Sequence, residues 1–229
     1  MKTILLGLFL LSFAGSALAL EPSQLDNRIK MLTAKFEAMQ HKPDKRIPPE
    51  LLRKAQAIVL LDRTKGGFIF GYQGGGGLAM AKDSATGKWS PAAFMNANEA
   101  SLGFQIGGEQ GFYAILLMTT NATKILMNGN MDFGGEARGT AGDMAGNVEA
   151  GTSPILIYAD RKGLYGGAVV KGGMIAADDK ADEVYYGTPV TMNEILFAHK
   201  VQPGEPASYL IQRLNAFSQP HEDSKSIWN

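Results

Sequence analysis

The chain has 229 residues, of which 45% are hydrophobic and 19% are charged, and its formal net charge is zero. This length and apolar content suffice for one globular domain with a substantial core, and the balanced charge gives no reason to expect nucleic-acid binding. The sequence contains no cysteine, which excludes disulfides, thiolate catalysis, cysteine-ligated zinc and the lipid-modified cysteine of a bacterial lipoprotein.

The N-terminus has the features of a signal peptide. Lys2 precedes an apolar run from Ile4 to Ala14, and Ala17-Leu18-Ala19 is a small-residue cleavage pattern. The run is shorter than the roughly 20 residues that a membrane-spanning helix needs, so cleavage after residues 1–19 is favoured over a retained anchor. We expect an exported protein, in the periplasm or outside the cell, that is not a lipoprotein.

Residues 20–47 are predicted to form an amphipathic helix and a basic linker. Ser23–Asp26 is interpreted as a capping box that opens the helix. Five apolar side chains then recur at helical spacing, and we call them the apolar stripe: Leu25, Ile29, Leu32, Phe36 and Met39. The stripe could dock on the domain or lie on a lipid surface. Docking is favoured because membrane-surface helices usually carry excess basic residues, whereas the charge here is balanced.

The densest positive cluster follows this helix. A second short helix is predicted near Glu50 to Gln56, after Pro48-Pro49. The cluster spans the linker and this helix, and consists of Lys42, Lys45, Arg46, Arg53 and Lys54. Such a run is ordinarily a solvated surface, and the alternative is that it binds lipid headgroups.

The region from Lys65 to Gln110 combines period-two alternation with many glycines. Aromatic and aliphatic residues alternate with small ones at Phe68, Phe70 and Tyr72, and again at Leu102, Phe104 and Ile106. Glycine at such positions indicates sharp bending or close backbone approach. The predicted fold is α+β, with a strongly curved antiparallel sheet or barrel-like core and flanking N- and C-terminal helices. Gly74–Gly77 is interpreted as a hairpin, because it lacks the following Lys-Ser or Lys-Thr of a phosphate loop.

The other elements are predicted from apolar runs and turn signals. Strands are expected at Ile58–Leu61, Phe112–Met118, Ile155–Tyr158, Leu164–Lys171 and Gly173–Ala177, and helices at Asn121–Met127, Met192–His199 and Pro206–Phe217. Asp83–Lys88 is predicted to be a turn, Trp89 to fill a core or barrel end, and the acidic segment Asp178–Glu183 to face solvent. Residues 218–229 are expected to be a flexible tail.

Two ordered blocks carry a family resemblance. The first contains Trp89-Ser90-Pro91-Ala92 and Gly103-Phe104-Gln105-Ile106-Gly107, and the second runs from Leu156-Ile157-Tyr158 to Tyr185-Tyr186-Gly187. Together they resemble the SYLF domain, a Ysc84-like module that binds lipids and, in fungi, actin. The resemblance covers residues 48–217 and implies contact with anionic lipids through the N-terminal region. Actin binding is not carried over, because an exported chain would not meet actin.

These observations predict a non-enzymatic module of the cell envelope that binds anionic phospholipid or phosphoinositide-like lipid. The predicted lipid-binding residues are Arg28, Lys35, Phe36, Lys42, Lys45, Arg46, Arg53 and Lys54. The alternatives are a protein-interaction or scaffold module with an envelope partner, and a small apolar ligand inside the barrel.

Catalysis is not expected. His41, His199 and His221 lie outside the strand blocks, and Asp178 and Asp179 lie in polar, turn-like sequence. No cofactor, metal or nucleic acid is predicted.

Overall fold

The computed structural model describes residues 20–62, 75–97, 111–127, 130–132, 154–161 and 174–220. Within these ranges the helices are α1 (Pro22–Gln40), α2 (Pro49–Lys54), α3 (Thr120–Met127), α4 (Asp179–Tyr186), α5 (Met192–Leu196) and α6 (Glu205–Phe217). The strands are β1 (Ala57–Asp62), β2 (Gly75–Ala81), β3 (Ala93–Ala97), β4 (Gly111–Leu117), β5 (Asn130–Asp132), β6 (Ile155–Arg161) and β7 (Met174–Ala177). The predicted α+β class is confirmed.

Several predictions lie outside the described residues and stay predictions. They are the signal peptide at residues 1–19, the alternating segments at 68–72 and 102–106, the strand at 164–171, and the tail from residue 221.

The seven strands pair antiparallel in the order β5-β7-β3-β2-β1-β4-β6. Pairing among the described strands leaves β5 and β6 as edges, so the sheet is open there and closure into a barrel is not confirmed. The register aligns Asp62 of β1 with Phe112 of β4, and Phe112 with Asp160 of β6. The carboxylates Asp62 and Asp160 therefore stand at the same end of the sheet.

The sheet buries both of its faces, each against a different set of helices. Along β1, Ile58 and Leu60 point to a core shared with α1, α2 and α6, whereas Val59 and Leu61 point to a core shared with α3 and α5. Successive strand residues point to opposite faces, so a strand covered on both sides is continuously apolar. This explains why β1 is buried along its whole length.

The prediction that Gly74–Gly77 forms a hairpin is wrong for Gly75, Gly76 and Gly77, which lie inside β2 and pair with β3. A Cβ built on Gly77 would stand 2.6 Å from the carbonyl oxygen of Leu60 on β1. Glycine at this position therefore serves a close approach of backbone to backbone. The predicted turn at Asp83–Lys88 is confirmed: the Asp83 N–H donates to the Lys88 carbonyl, and Gly87 supplies a left-handed φ of 68°.

Two local predictions are corrected. Helix α1 begins one residue before Ser23, because Glu21 is its N-cap and forms a reciprocal capping box with Gln24. The acidic segment after β7 is not a solvated turn but helix α4. Asp178 caps this helix by accepting from the Ala181 N–H, and Asp182 is fully buried. The helix ends at Gly187, whose φ of 64° is the left-handed conformation common at helix C-termini.

Candidate functional site

The apolar stripe of α1 faces the domain. All five of its side chains are completely buried, in the core that α1 shares with the sheet, α2 and α6. Phe36 packs edge-to-face against Phe217 of α6, with ring centroids 5.7 Å apart. The favoured interpretation, a docked helix, is therefore confirmed. In this conformation Phe36 is inaccessible to a bilayer, so its insertion into lipid does not describe the docked protein and stays a prediction for an undocked α1.

Four of the predicted lipid-binding cations are held by carboxylates of the domain. We call Arg28, Lys35, Lys42 and Lys45 the paired cations. Arg28 lies 3.4 Å from a carboxylate oxygen of Asp178, and its side chain is only 5% exposed. Its guanidinium also lies over the Phe94 ring at 5.4 Å, which is a cation–π geometry. Arg28 therefore fastens α1 to α4 and β3 and is not directed toward solvent.

The three paired lysines bind the carboxylates at one end of the sheet. Lys35 donates to Asp62 at 2.6 Å, and Lys42 donates to Asp160 at 2.6 Å. Lys45 stands 3.6 Å from the other oxygen of Asp160. Because Asp62 and Asp160 share a sheet end, these lysines form one mixed-charge strip that joins α1 and the linker to β1 and β6.

The remaining predicted cations are exposed. We call Arg46, Arg53 and Lys54 the exposed cations; Arg46 lies in the linker, and Arg53 and Lys54 lie in the last turn of α2. Residues Arg53 and Lys54 adjoin the Ala57 end of β1, opposite its Asp62 end. A six-residue antiparallel strand spans about 17 Å between these ends. The predicted cluster is therefore divided: Lys42 and Lys45 lie at the Asp62 end of β1, and Arg53 and Lys54 lie at its Ala57 end.

Lys82 also lies at the C-terminal end of α2, and the sequence analysis does not predict it. Its ammonium group donates to the carbonyls of Leu52 and Arg53 at 3.0 and 2.8 Å and lies 4.6 Å from the centre of the Trp89 ring. Burial, with a contribution from the charge of Arg53, lowers the pKa of Lys82 to about 8. Lys82 caps the C-terminus of α2 and positions its last turn, and Trp89 is buried as predicted. The uncapped end of the short Pro49–Lys54 helix was the available signal for such a partner.

The comparisons with known proteins identify the family. Residues 98–217, just over half of the chain, match the family model described as Ysc84, Las17-binding protein actin regulator. The chain belongs to the Ysc84 family. This confirms the resemblance, because the Ysc84 and SYLF names denote the same module.

Curated relatives extend the match beyond these residues. The chain is similar to SH3 domain-containing YSC84-like protein 1 of Rattus norvegicus, with 28% identity over 186 residues that cover 79% of this chain and 54% of the relative. It is 26% identical to the Homo sapiens protein of that name over 187 residues, with 79% and 54% coverage. Protein YSC84 of Saccharomyces cerevisiae is 28% identical over 195 residues, with 80% and 42% coverage. The chain thus spans about half the length of the curated relatives it matches.

The Ysc84 family match separates the members of three of the ion pairs made by the paired cations, and both members of the fourth, Lys35 and Asp62, precede it. Arg28, Lys42 and Lys45 precede the matched residues, whereas their partners Asp160 and Asp178 lie within them. The part of the chain in which the family model recognises the Ysc84 module therefore supplies two of the three carboxylates that hold the paired cations, Asp160 and Asp178.

The two described histidines do not form a catalytic arrangement. His41 packs edge-on against Phe217 at 5.8 Å. His199 lies 3.2 Å from Asp83, whose pKa is held at about 2, chiefly by a hydrogen bond from the Thr86 hydroxyl. Thr86 thus donates to the carboxylate and not to the imidazole. A catalytic triad needs the hydroxyl to donate to the imidazole, so these residues do not form one.

Two further features bear on ligands and membranes. No group of three or more His, Asp or Glu side chains in the described part of the chain is arranged to hold a metal ion. Among the same residues, no helix combines the length and apolar character required to cross a bilayer.

Proposed function

We propose that this Ysc84-family chain is a non-enzymatic lipid-binding module of the cell envelope, which associates peripherally with anionic phospholipid through its N-terminal segment. We further propose that it is exported by a signal peptide at residues 1–19, with the periplasm as its compartment. The observation that carries the lipid proposal is the exposure of Arg46, Arg53 and Lys54 on the segment that the resemblance implicates.

The exposed cations suit headgroup phosphates better than the paired cations do. A cation already held by a carboxylate must give up that ion pair before it can bind phosphate, whereas an exposed cation retains its charge for the surface. Each Lys or Arg near an anionic membrane contributes about 1 kcal/mol. Three of them therefore account for about 3 kcal/mol, or roughly a hundredfold in affinity.

Docked α1 provides a rigid platform for these side chains. The proposed association needs no insertion of the apolar stripe. The linker is held on α1 by Gln40, which accepts from the Ile47 N–H at 2.8 Å, and α2 is held by Lys82, which donates to the Leu52 and Arg53 carbonyls. The mechanism is therefore electrostatic adhesion of a folded body to the membrane surface.

The test is cosedimentation of the purified protein with phosphatidylglycerol vesicles and with phosphatidylcholine vesicles, at 50 mM and 500 mM salt. We expect binding to the anionic vesicles alone, weakening as salt screens the charges. Equal binding to both vesicles, or no binding to either at low salt, would overturn the proposal.

A protein-interaction module is the second candidate, favoured by the family description, Las17-binding protein actin regulator. Las17 and actin belong to that description, and we propose an envelope protein in their place for an exported chain. The same salt series separates the candidates, because an apolar protein interface does not weaken as ionic strength rises.

A further inference from the structure

A buried carboxyl group joins helix α4 to strand β3 of the sheet. Asp182, on α4, is 0% exposed, and its Oδ1 accepts from the backbone N–H of Phe94 on β3 at 2.8 Å. Its Oδ2 is also buried, and no described residue donates a hydrogen bond to it. A negative charge on this oxygen would be poorly stabilised, because burying a charge without hydrogen-bond donors costs much free energy. The oxygen is better suited to carry a proton.

The neighbouring carboxylates also favour the protonated form of Asp182, and one guanidinium opposes it. Asp178 and Asp179 face Asp182 from its own helix, and Arg28 faces it from α1. From β3 it meets the Phe94 N–H, while the Tyr186 hydroxyl is committed to the Ala92 carbonyl at 2.6 Å. Burial raises the pKa of Asp182 to about 8, and the two neighbouring carboxylates add to the rise against the opposing N–H and guanidinium.

The same junction fastens α1. Asp178 caps α4 and also binds Arg28, whose guanidinium lies over the Phe94 ring. Tyr185 of α4 donates to Asp26 of α1 at 3.1 Å. A change in how α4 sits on β3 therefore moves two of the groups that hold α1.

We propose that Asp182 is a proton-dependent latch: its protonated carboxyl keeps α4 docked on β3 and Asp178 on Arg28, and loss of the proton loosens α4 together with α1. This inference concerns the fold itself and does not depend on lipid binding.

The direction of the pH effect follows from linkage. The ordinary pKa of an aspartate is about 3.9, so between that value and about 8 the folded protein binds one proton more than the unfolded chain at this residue. Stability from this group is therefore fully present at low pH and is lost as pH rises through the folded pKa. Each pH unit in this window lowers the folding equilibrium constant about tenfold.

The experiment compares urea unfolding of the wild-type protein, Asp182→Asn and Asp179→Asn at pH 5, 6 and 7. Asparagine keeps the oxygen that accepts from Phe94 and needs no proton, so the ratio of folding constants, Asp182→Asn over wild type, should rise about 100-fold between pH 5 and pH 7. Asp179→Asn, an exposed carboxyl on the same helix, should keep most of the wild-type pH slope. Lys82 titrates near pH 8 in every variant and cancels from the ratio. A pH-independent ratio would overturn the latch.

Two further measurements keep the proposal open to refutation if Asp182→Asn does not fold. Carboxyl ¹³C NMR of the wild-type protein should show one aspartate that titrates well above pH 6, and titration of every aspartate near pH 4 would overturn it. Amide hydrogen exchange, corrected for the intrinsic rate, should show protection of both α4 and α1 falling between pH 6 and pH 8.5. Constant protection of α4 over this range would contradict the latch, and loss in α4 without loss in α1 would contradict its link to Arg28.

Discussion

The paired cations and the exposed cations are close in sequence but differ in what surrounds them. Lys42 and Lys45 reach Asp160, and Arg28 reaches Asp178, on elements more than a hundred residues away in the chain. Arg46, which directly follows Lys45, is exposed. Adjacent basic residues therefore have different roles: one group fastens the N-terminal segment to the domain, and the other is available to an external anion.

The two faces of α1 differ in the same way, one buried and the other exposed. The apolar stripe is wholly buried, while Lys30 and Met31 lie on the outer face, and Met31 is 40% exposed. An amphipathic helix with a narrow apolar face can serve a core or a membrane. Here the sheet and α6 cover that face, so the stripe contributes to stability.

The largest expected effect on stability comes from a substitution in the buried apolar stripe. Phe36→Ala should lower the free energy of unfolding by about 3–5 kcal/mol, because it leaves a cavity in the core against Phe217. Urea denaturation measures this loss. Met31→Ala on the exposed face is the matched control and should change stability by less than about 0.5 kcal/mol. Similar small losses for both variants would show that α1 is not docked in solution.

Breaking the buried ion pair should have the next largest effect. Arg28→Met should cost about 3 kcal/mol, because it leaves Asp178 without its cation in a poorly solvated position. Lys30→Met, on the exposed face of the same helix, serves as the control and should be nearly neutral. If Arg28→Met lowers the free energy of unfolding by less than about 0.5 kcal/mol, the Arg28 side chain is solvated and not part of a buried ion pair.

Removing the lysines from Asp160 should have a small effect on stability. Lys42→Gln with Lys45→Gln should lower the free energy of unfolding by about 1 kcal/mol or less, since partly exposed ion pairs contribute little. The difference from wild type should shrink in 1 M salt, which screens such pairs. A loss above about 2 kcal/mol that persists in high salt would show that this end of the sheet is a desolvated core.

Local pattern predicted much of the fold. The spacing of Leu25 to Met39 predicts α1, the uninterrupted apolar run Ile58–Leu61 predicts β1, and the proline-led segment predicts α2. The glycine pattern indicates close backbone approach, which Gly77 shows, but the prediction of a hairpin at Gly77 is wrong because this residue lies in β2.

The candidate site was predicted only in part, for a physical reason. Which lysine meets a carboxylate depends on strand register, and the alignment of Asp62 with Asp160 across β4 cannot be read from residues nearly a hundred positions apart. The acidic composition of Asp178–Glu183 predicts exposure to solvent, because acidic residues are rarely fully buried, and this prediction is wrong for Asp182. Its burial follows from the docking of α4 on β3, which local sequence does not encode.

Side-by-side vesicle binding of two triple variants tests the central claim most directly. One variant removes the exposed cations (Arg46→Gln, Arg53→Gln, Lys54→Gln) and the other removes the paired lysines (Lys35→Gln, Lys42→Gln, Lys45→Gln), so the net charge changes equally. A third, Lys30→Gln with Lys88→Gln and Lys124→Gln, controls for net charge at other exposed sites. At low salt, binding to phosphatidylglycerol vesicles should fall about 100-fold for the first variant and less than about threefold for the other two. Equal losses in all three, or the greater loss in the paired variant, would contradict the account.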